Sequence, residues 1–140
     1  MIYYTSNKYK TKKICESAVK NNNNALIYVP EELKTKDLCE LAIKNGYHIM
    51  PYIPEKLKTK ELCELAVKNH GNTFALQYIP KELKTKELCE LAVKNNSWTL
   101  HYVPEEFKTY EVCLTAVKKH GCAILYVPKK IIRRIIFNSN

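Results

Sequence analysis

One short motif recurs along this chain at nearly constant intervals, and this recurrence strongly limits the possible folds. Five cysteines are spaced by 24, 24, 26 and 24 residues, and they are Cys15, Cys39, Cys63, Cys89 and Cys113. Prolines from Pro30 to Pro128 and tyrosines from Tyr28 to Tyr126 keep the same spacings. A repeat of about 24 residues cannot bury its own apolar face, so neighbouring repeats must stack to build a shared core.

The first half of each repeat predicts a short amphipathic helix. Its consensus is K-T-K-E-[LIV]-C-E-L-A-[VI]-K-N, with apolar residues that pair at i, i+3 and i+4. The threonines suit the N-cap position, and an acidic residue two positions later in the last four repeats meets the positive end of the helix dipole. The capping residues are Thr11, Thr35, Thr59, Thr85 and Thr109. In the second repeat the helix should end near Asn45, and the residues that follow each helix favour a left-handed C-cap.

The second half of each repeat is shorter and ends at a proline. Its consensus is L-x-Y-[VI]-P-E-E-L, which allows one or two helical turns before the proline interrupts the hydrogen bonding and opens a further turn. In the fourth repeat, Trp98 and Tyr102 stand at i, i+4 on this short helix. Pro51 falls inside the second short helix and should distort it, and residues 70–73 should form a longer joint.

Together these halves predict an all-α fold, an α-solenoid of about five helix–turn–short-helix repeats of 24–26 residues. We expect a right-handed or irregular array about 40–50 Å long, because packed helices lie roughly 8–10 Å apart. Leu38, Cys39, Ala42 and Ile43, with their equivalents, should form its core, and the tyrosines should pack beside that core. The chain 1–140 is predicted to be one domain, with repeats at about 9–33, 34–57, 58–83, 84–107 and 108–131, a half repeat at 1–8 and a C-terminal cap at 131–140.

The repeated cysteines are predicted to be free, buried core residues. Equivalent residues in adjacent repeats of a stack lie roughly 8–10 Å apart, whereas a disulfide needs its two Cα atoms within about 7 Å. The sequence also lacks the close C-x-x-C and H-x-x-x-H pairs that usually supply structural zinc ligands. Cys122 stands outside the repeat pattern, and a bond between it and Cys113 is an alternative under oxidising conditions.

The net charge of +9 is concentrated towards the two ends of the sequence. Residues 1–24 and 123–140 carry +4 each, and the 98 residues between them carry only +1. Most of the repeated lysines are interpreted as part of a solvent-exposed helix face, with glutamate–lysine pairs at i, i+4. The alternative is a basic stripe that contacts successive phosphates of a nucleic acid. The pairs are Glu40 with Lys44, Glu64 with Lys68 and Glu90 with Lys94. The candidate anion contacts are the uncompensated cations at the ends: Lys8, Lys10, Lys12, Lys13, Lys129, Lys130, Arg133 and Arg134.

Two positions of the short helix differ from repeat to repeat while most of the repeat stays nearly uniform. They stand four residues and one residue before the repeated tyrosine, so they are i, i+3 neighbours on one face. A variable stripe on a uniform scaffold is how helical repeats present a recognition surface, although drift at exposed positions gives the same pattern. The residues of this predicted interaction stripe are His48, Phe74, Gln77, Trp98 and His101.

The C-terminal segment IIRRIIFNSN departs from the repeat. Its isoleucines follow i, i+1, i+4, i+5 with Arg133 and Arg134 opposite them, which predicts an amphipathic helix. Because a terminal repeat must close the exposed end of the core, a capping helix is the first interpretation. A basic helix on a membrane surface and a dimer contact are the alternatives.

Residues that carry catalysis or hold cofactors are sparse. The chain has one aspartate, Asp37, and three glycines, which leaves no Gly-rich phosphate loop. His48, His70, His101 and His120 occupy four different places in the repeat and form no common ligand set. We predict a non-enzymatic protein without metal or cofactor, although spacing leaves open a Cys–His pair from distant positions. No apolar run approaches the roughly 20 residues of a membrane span, and the N-terminal residues lack a signal-peptide core, so we expect a cytoplasmic protein.

The pattern K-T-x-x-[LIV]-C-x-x-A-[VI]-K followed by L-x-Y-[VI]-P-[EK]-[EK]-[LF] resembles a family of short α-helical repeats classed as a domain of unknown function. The resemblance covers about residues 9–130, and its departures are Ser17 and Thr115 at a usual leucine position and Pro51. That family is abundant in large DNA viruses of amoebae and in some bacteria associated with protists. The resemblance therefore implies a helical repeat and a viral protein of the host cytoplasm or virion, and it brings no active site.

Three functions follow as hypotheses. The first is a module that binds a partner protein through the variable stripe or the concave side of the array. The second is a nucleic-acid or anionic-surface binder that uses the basic ends. The third is a structural protein that self-assembles head to tail through its unequal ends.

Overall fold

In the computed structural model, which describes residues 11–45, 48–69 and 74–138, every regular element is a helix. Five α-helices begin just after the repeated threonines: α1 (Lys12–Asn21), α2 (Lys36–Asn45), α3 (Lys60–Lys68), α4 (Lys86–Asn95) and α5 (Tyr110–Lys119). A sixth, α6 (Lys129–Phe137), follows Pro128. The predicted all-α fold of helix–turn–short-helix repeats is confirmed, while the length and handedness of the array stay predictions.

The threonine caps set the start of the five repeated α-helices. The hydroxyl oxygen of Thr85 accepts a hydrogen bond from the backbone N–H of Leu88 at 3.2 Å. The other four caps make the equivalent bond at 3.3 Å. An acidic side chain occupies the first turn of α2, α3, α4 and α5, where the helix dipole is positive. The predicted N-caps are confirmed.

The C-caps of α1, α4 and α5 do not take the left-handed conformation that the sequence predicts. Asn22, Asn96 and His120, which follow α1, α4 and α5, have φ values between −142° and −147°, which is extended backbone. The two asparagines also begin the next helix, since Oδ1 of Asn22 accepts a hydrogen bond from the N–H of Asn24 and Oδ1 of Asn96 accepts one from the N–H of Trp98. An N-cap residue has extended backbone angles. One residue therefore ends the α-helix and opens the short helix without a left-handed turn.

The second half of each repeat forms a short 3-10 helix. These helices span Asn23–Tyr28, Met50–Tyr52, Ala75–Tyr78, Ser97–Tyr102 and Gly121–Tyr126. In the first four repeats a single 3-10 turn follows the proline, at Glu31–Leu33, Glu55–Leu57, Lys81–Leu83 and Glu105–Phe107. The second short helix has three residues, with Pro51 in its first turn, where a proline is tolerated, and the distortion predicted there stays a prediction. Because residues i and i+3 eclipse one another in a 3-10 helix, the two variable positions share one face.

The core contains the residues that the repeat pattern predicts. Leu38, Cys39, Ala42 and Ile43 of α2 are buried. Their buried equivalents are Cys15 and Val19 in α1, Leu62, Cys63, Ala66 and Val67 in α3, Leu88, Cys89, Ala92 and Val93 in α4, and Val112, Cys113 and Ala116 in α5. The first repeat departs from this pattern, since Ile14 is half-exposed.

The tyrosines are more exposed than predicted. The side chains of Tyr28, Tyr52 and Tyr78 lie at the surface, and those of Tyr102 and Tyr126 are half-buried. The reason is that other residues, in the short helix and directly after it, fill the core. In the first repeat these are Leu26, two residues before the tyrosine, and Val29, one residue after it. The tyrosine rings are therefore available to line a surface.

The chain divides into two compact units, residues 1–72 and 73–140, here called the N-terminal and C-terminal units. In the N-terminal unit α1 packs on α2 and α2 on α3, and in the C-terminal unit α4 packs on α5 and α5 on α6. The boundary falls inside the third repeat, at its two-residue insertion. The longer joint predicted at 70–73 and the half repeat at 1–8 lie outside the described residues, and a single domain over 1–140 stays a prediction.

Candidate interaction surface

Aromatic side chains of the C-terminal unit line an open cleft of about 350 Å³, here called the aromatic cleft. Its lining residues are Phe74, Trp98, His101, Tyr102 and Tyr126. Three of them belong to the predicted interaction stripe, and the other two are repeated tyrosines. The structure therefore brings part of the variable stripe and part of the tyrosine series into one concave surface.

The short helix Ser97–Tyr102 carries the central wall of the cleft. Its buried residues, Ser97, Thr99 and Leu100, hold it in the core, and the hydroxyl of Thr99 donates a hydrogen bond to the carbonyl oxygen of Asn96 at 2.7 Å. The helix packs against the short helices of the third and fifth repeats. These neighbours bring Phe74 and Tyr126 to the same cleft.

Ring contacts support four of the five side chains that line the cleft, those of Trp98, His101, Tyr102 and Tyr126. The centroid of the His101 ring lies 4.9 Å from that of Tyr102 and 4.8 Å from that of Tyr126. Trp98 stacks on His120, with centroids 6.3 Å apart and an angle of 30° between the ring planes. Aromatic pairs at these separations contribute about 0.5–1.5 kcal/mol beyond their burial. The cleft is thus formed by side chains that support one another.

His120 is a supporting residue that the sequence did not identify as part of this surface. Its Nδ1 atom lies 2.6 Å from the hydroxyl oxygen of Ser97, which is fully buried. His120 stands at the position that Asn96 occupies one repeat earlier, with nearly the same backbone angles. It contacts both Ser97 and Trp98 and so fixes two consecutive residues of the cleft wall. The sequence signal that could have identified His120 is the residue between the two helices of each repeat, which is asparagine at position 96 and histidine at position 120.

The remaining stripe residues do not line the aromatic cleft. Gln77 is exposed on the short helix of the third repeat but is absent from the cleft lining. His48 belongs to the N-terminal unit, is exposed, and has a left-handed φ of 55°. The stripe therefore contributes three of its five predicted residues to the cleft.

The candidate anion contacts fall in both units. Lys8 and Lys10 lie outside the described residues, while Lys12 and Lys13 are exposed on α1. The Nζ atom of Lys12 lies 3.9 Å from the carboxylate of Glu16, so this cation has an acidic neighbour. In the C-terminal unit, the exposed cations of α6 are Lys129, Lys130, Arg133 and Arg134. No helix in the described part of the chain has the length and apolar character needed to cross a membrane.

The glutamate–lysine pairs of the repeats only partly follow the prediction. Lys68 pairs with Glu64 at 4.0 Å, as predicted. Glu40 and Glu90 instead contact the lysine one turn earlier: Glu40 lies 3.9 Å from Lys36, and Glu90 lies 3.8 Å from Lys86. The i−4 and i+4 positions both neighbour a helical residue, so a glutamate flanked by two lysines can pair with either.

The repeated cysteines are buried and free, as predicted. Burial raises the pKa of four thiols to about 11, those of Cys39, Cys63, Cys89 and Cys113. A nucleophilic or metal-binding cysteine needs the thiolate, which a raised pKa disfavours. Cys122 is exposed and is not bonded to Cys113 in this structure, and the alternative of a bond under oxidising conditions stays a prediction. Among the residues that the structure describes, no group of three or more His, Cys, Asp or Glu side chains is placed to hold a metal ion.

A family profile matches the chain in four overlapping stretches, residues 11–58, 35–84, 59–108 and 85–132. The profile is that of the Domain of unknown function (DUF4116). This chain belongs to the DUF4116 family. Each match begins at a capping threonine, and successive matches advance by one repeat, so one DUF4116 domain corresponds to two adjacent repeats of the structure. A search of curated proteins and a search of solved structures found no significant match.

Proposed function

We propose that this DUF4116 protein is a non-enzymatic interaction module that binds a partner protein in the aromatic cleft. The observation that carries the proposal is the convergence of Phe74, Trp98 and His101, all at variable positions, on one concave surface. Drift at exposed positions accounts for variation among repeats. It does not account for large aromatic rings gathered at the surface, where each ring keeps apolar area in water.

The exposed rings offer binding energy to a partner. Trp98 and Phe74 keep 39% and 38% of their surface exposed. If a partner covered the exposed area of both side chains, the apolar burial would contribute on the order of 4 kcal/mol to the binding free energy, before the entropic cost of association. Tryptophan and tyrosine are also enriched among the residues that dominate interface energies. The volume of about 350 Å³ suits one or two apolar side chains of a partner protein.

The chemistry of the cleft supports a binding role. Among the residues that the structure describes, its lining offers the imidazole of His101 and two phenols, with no carboxylate, thiol or amine. An imidazole can act as a general acid or base, but nucleophilic catalysis pairs it with an activated group such as a thiol or an amine, and the described lining residues provide neither. We include in the proposal a cytoplasmic location and the viral origin that the family resemblance implies.

Self-assembly through the two ends is a weaker candidate. Residues 1–24 and 123–140 each carry +4, so two copies that met end to end would bring like charges together. A nucleic-acid or anionic-surface function has a specific observation in its favour, the exposed cations of α6, and this observation is developed below.

Peptide selection on the full chain tests the proposal. Random displayed peptides are enriched on the wild type, and their affinities are then measured by calorimetry on variants. Trp98→Asn introduces the residue that repeat 1 carries at the equivalent position, Asn24, so it removes the ring while keeping a side chain that the repeat accommodates. We expect it to weaken the enriched peptides at least about tenfold, the loss of about 1.4 kcal/mol.

The matched control is Ile27→His, which places the residue found at position 101 into repeat 1, outside the aromatic cleft. It should leave the affinities unchanged. Equal affinities for the wild type and Trp98→Asn would contradict the proposal, and so would a selection that enriches no binding peptide.

A further inference from the structure

The outer side of α6 combines cations with large exposed apolar side chains. The inner residues of this helix, Ile131 and Ile135, are buried, and α6 packs on α5. On the outer side, Ile136 keeps 55% and Phe137 keeps 76% of its surface exposed. Three exposed cations accompany them: Lys129, Lys130 and Arg133. These five residues are here called the α6 outer face.

Helix geometry places the five residues on one continuous surface. Each residue of an α-helix advances by about 100° around the axis. The five positions therefore occupy an arc of about 120°, centred opposite the buried Ile131 and Ile135. Around this arc the order is Ile136, Lys129, Arg133, Phe137 and Lys130, so each exposed apolar side chain has a cation beside it.

Closing the core does not explain this face. The capping role uses Ile131 and Ile135, which are buried, together with Ile132, which is half-buried. Ile136 and Phe137 leave more than half of their surface in water, which is unfavourable for apolar side chains. A further partner that covers them would relieve this cost.

The cations of α6 form no salt bridge with an acidic side chain among residues 11–45, 48–69 and 74–138. Residues 123–140 contain no aspartate or glutamate. In the described part of the chain no salt bridge involves Lys129, Lys130 or Arg133, in contrast to Lys36 and Lys86, which face glutamates. Arg134, beside the outer face, has its guanidinium carbon 4.4 Å from the ring centroid of Tyr110. The net positive charge of the helix is thus available to an anionic partner.

We infer that the α6 outer face docks on an anionic phospholipid bilayer. The cations would contact lipid phosphates while Phe137 and Ile136 enter the boundary between headgroups and acyl chains, which is how basic amphipathic helices lie on membranes. A second copy of the chain fits less well, because it presents the same positive face. A nucleic acid would pair with the cations but would leave both apolar side chains in water. The inference concerns a surface separate from the aromatic cleft lining and does not depend on the proposed function.

Vesicle flotation with the full chain tests this inference. We expect the protein to float with vesicles of phosphatidylcholine and phosphatidylserine and to stay behind with phosphatidylcholine alone. The double variant K129E/K130E should lower the partition coefficient by about 30-fold or more, since each cation near an anionic surface contributes about 1 kcal/mol. Phe137→Ser should lower it by about tenfold through lost apolar burial.

The repeat supplies matched controls for both changes. K56E/K81E makes the same change of net charge, from +9 to +5, at the same positions after the repeated proline in earlier repeats, where other repeats carry glutamate. Ile14→Ser removes a half-exposed apolar side chain from α1. Both control variants should float like the wild type. If K56E/K81E lost flotation as much as K129E/K130E, net charge alone would explain the membrane binding, and the inference would be overturned.

Three further outcomes would also overturn it. The first is a wild-type protein that does not float with anionic vesicles. The second is flotation unaffected by Phe137→Ser together with salt-sensitive binding of a DNA duplex, which would assign the face to nucleic acid. The third is a dimer in sedimentation experiments that Phe137→Ser dissociates, which would assign the face to a second copy.

Discussion

The ammonium nitrogen of Lys84 lies 2.9 Å from the backbone carbonyl oxygen of Tyr102, 18 residues further along the chain. Lys34 and Tyr52 make the same contact at 2.7 Å in the second repeat. Each lysine directly precedes a capping threonine, and each tyrosine ends a short helix. The hydrogen bond therefore ties the start of a repeat's α-helix to the end of its short helix. Desolvation by partial burial lowers the pKa of both ammonium groups.

Replacing Lys84 tests whether its hydrogen bond to the carbonyl oxygen of Tyr102 stabilises the fold. Lys84→Met keeps the aliphatic stem and removes the donor, so we expect urea denaturation to show a loss of about 1–2 kcal/mol in the free energy of unfolding. Lys86→Met is the control, because Lys86 is exposed and only 3.8 Å from Glu90, a pairing that contributes little. Equal losses in the two variants would show that the contact with Tyr102 has no special role.

The buried cysteines make stability depend on alkaline pH. Burial raises the pKa of Cys63 from 9.0 to about 11. The folded state therefore favours the neutral thiol, and its contribution to stability is complete below pH 9 and is lost as the pH rises from about 9 to about 11. Cys63→Ala should cost about 1–2 kcal/mol at pH 7, and this cost should shrink towards pH 11 because alanine does not ionise. A cost that stays constant over this range of pH would contradict the assignment.

A serine at the same position separates polarity from packing. Cys63→Ser nearly preserves the shape of the side chain but buries a hydroxyl, so at pH 7 we expect it to be destabilising by about 2–3 kcal/mol, more than the alanine variant. Urea denaturation of both variants provides the comparison. A serine variant as stable as the wild type would place Cys63 in a polar or solvated environment.

Thiol labelling distinguishes one cysteine from the other five. Cys122 is exposed and the five repeated cysteines are buried. We expect one thiol per chain to react rapidly with a disulfide reagent at neutral pH in the native protein, and all six to react after unfolding in urea. Cys122→Ser should remove the rapid phase. A second rapid thiol in that variant would contradict the burial of the repeated cysteines.

The sequence predicted those parts of the fold that depend on local chemistry. A threonine before an apolar helical pattern can cap a helix wherever the repeat occurs, so Thr59 and Thr85 were correctly assigned. The period of the repeat also identified the buried side of α2, including Cys39 and Ile43. The left-handed C-caps predicted for α1, α4 and α5 were wrong, because a residue such as Asn96 ends one helix and begins the next. At such a direct junction of two helices the extended conformation of an N-cap residue is required.

The aromatic cleft was predicted only in part, because its walls come from three successive repeats. Variation along one helical face identified Phe74, Trp98 and His101. Tyr102 and Tyr126 do not vary, so the same signal could not select them, and their exposure depends on the 3-10 form of the short helices. The reach of His120 to Ser97 depends on the distance between adjacent repeats, which a sequence pattern does not encode.

A double-mutant cycle tests the contact between Ser97 and His120. Ser97→Ala removes one partner and leaves the exposed His120 to water, so it should cost about 0.5–1.5 kcal/mol. His120→Asn restores the residue found at positions 22 and 96 but leaves the fully buried hydroxyl of Ser97 without its ring partner, and it should cost about 1–2 kcal/mol.

The double variant S97A/H120N should be more stable than the sum of the single changes predicts, by about 1 kcal/mol, because the alanine removes the hydroxyl that His120→Asn leaves unpaired. Urea denaturation followed by the fluorescence of Trp98, the single tryptophan of the chain, measures all four proteins. Since Trp98 stacks on His120, its emission should also change in both variants that carry asparagine. Additive costs with unchanged emission would mean that His120 does not support the cleft wall.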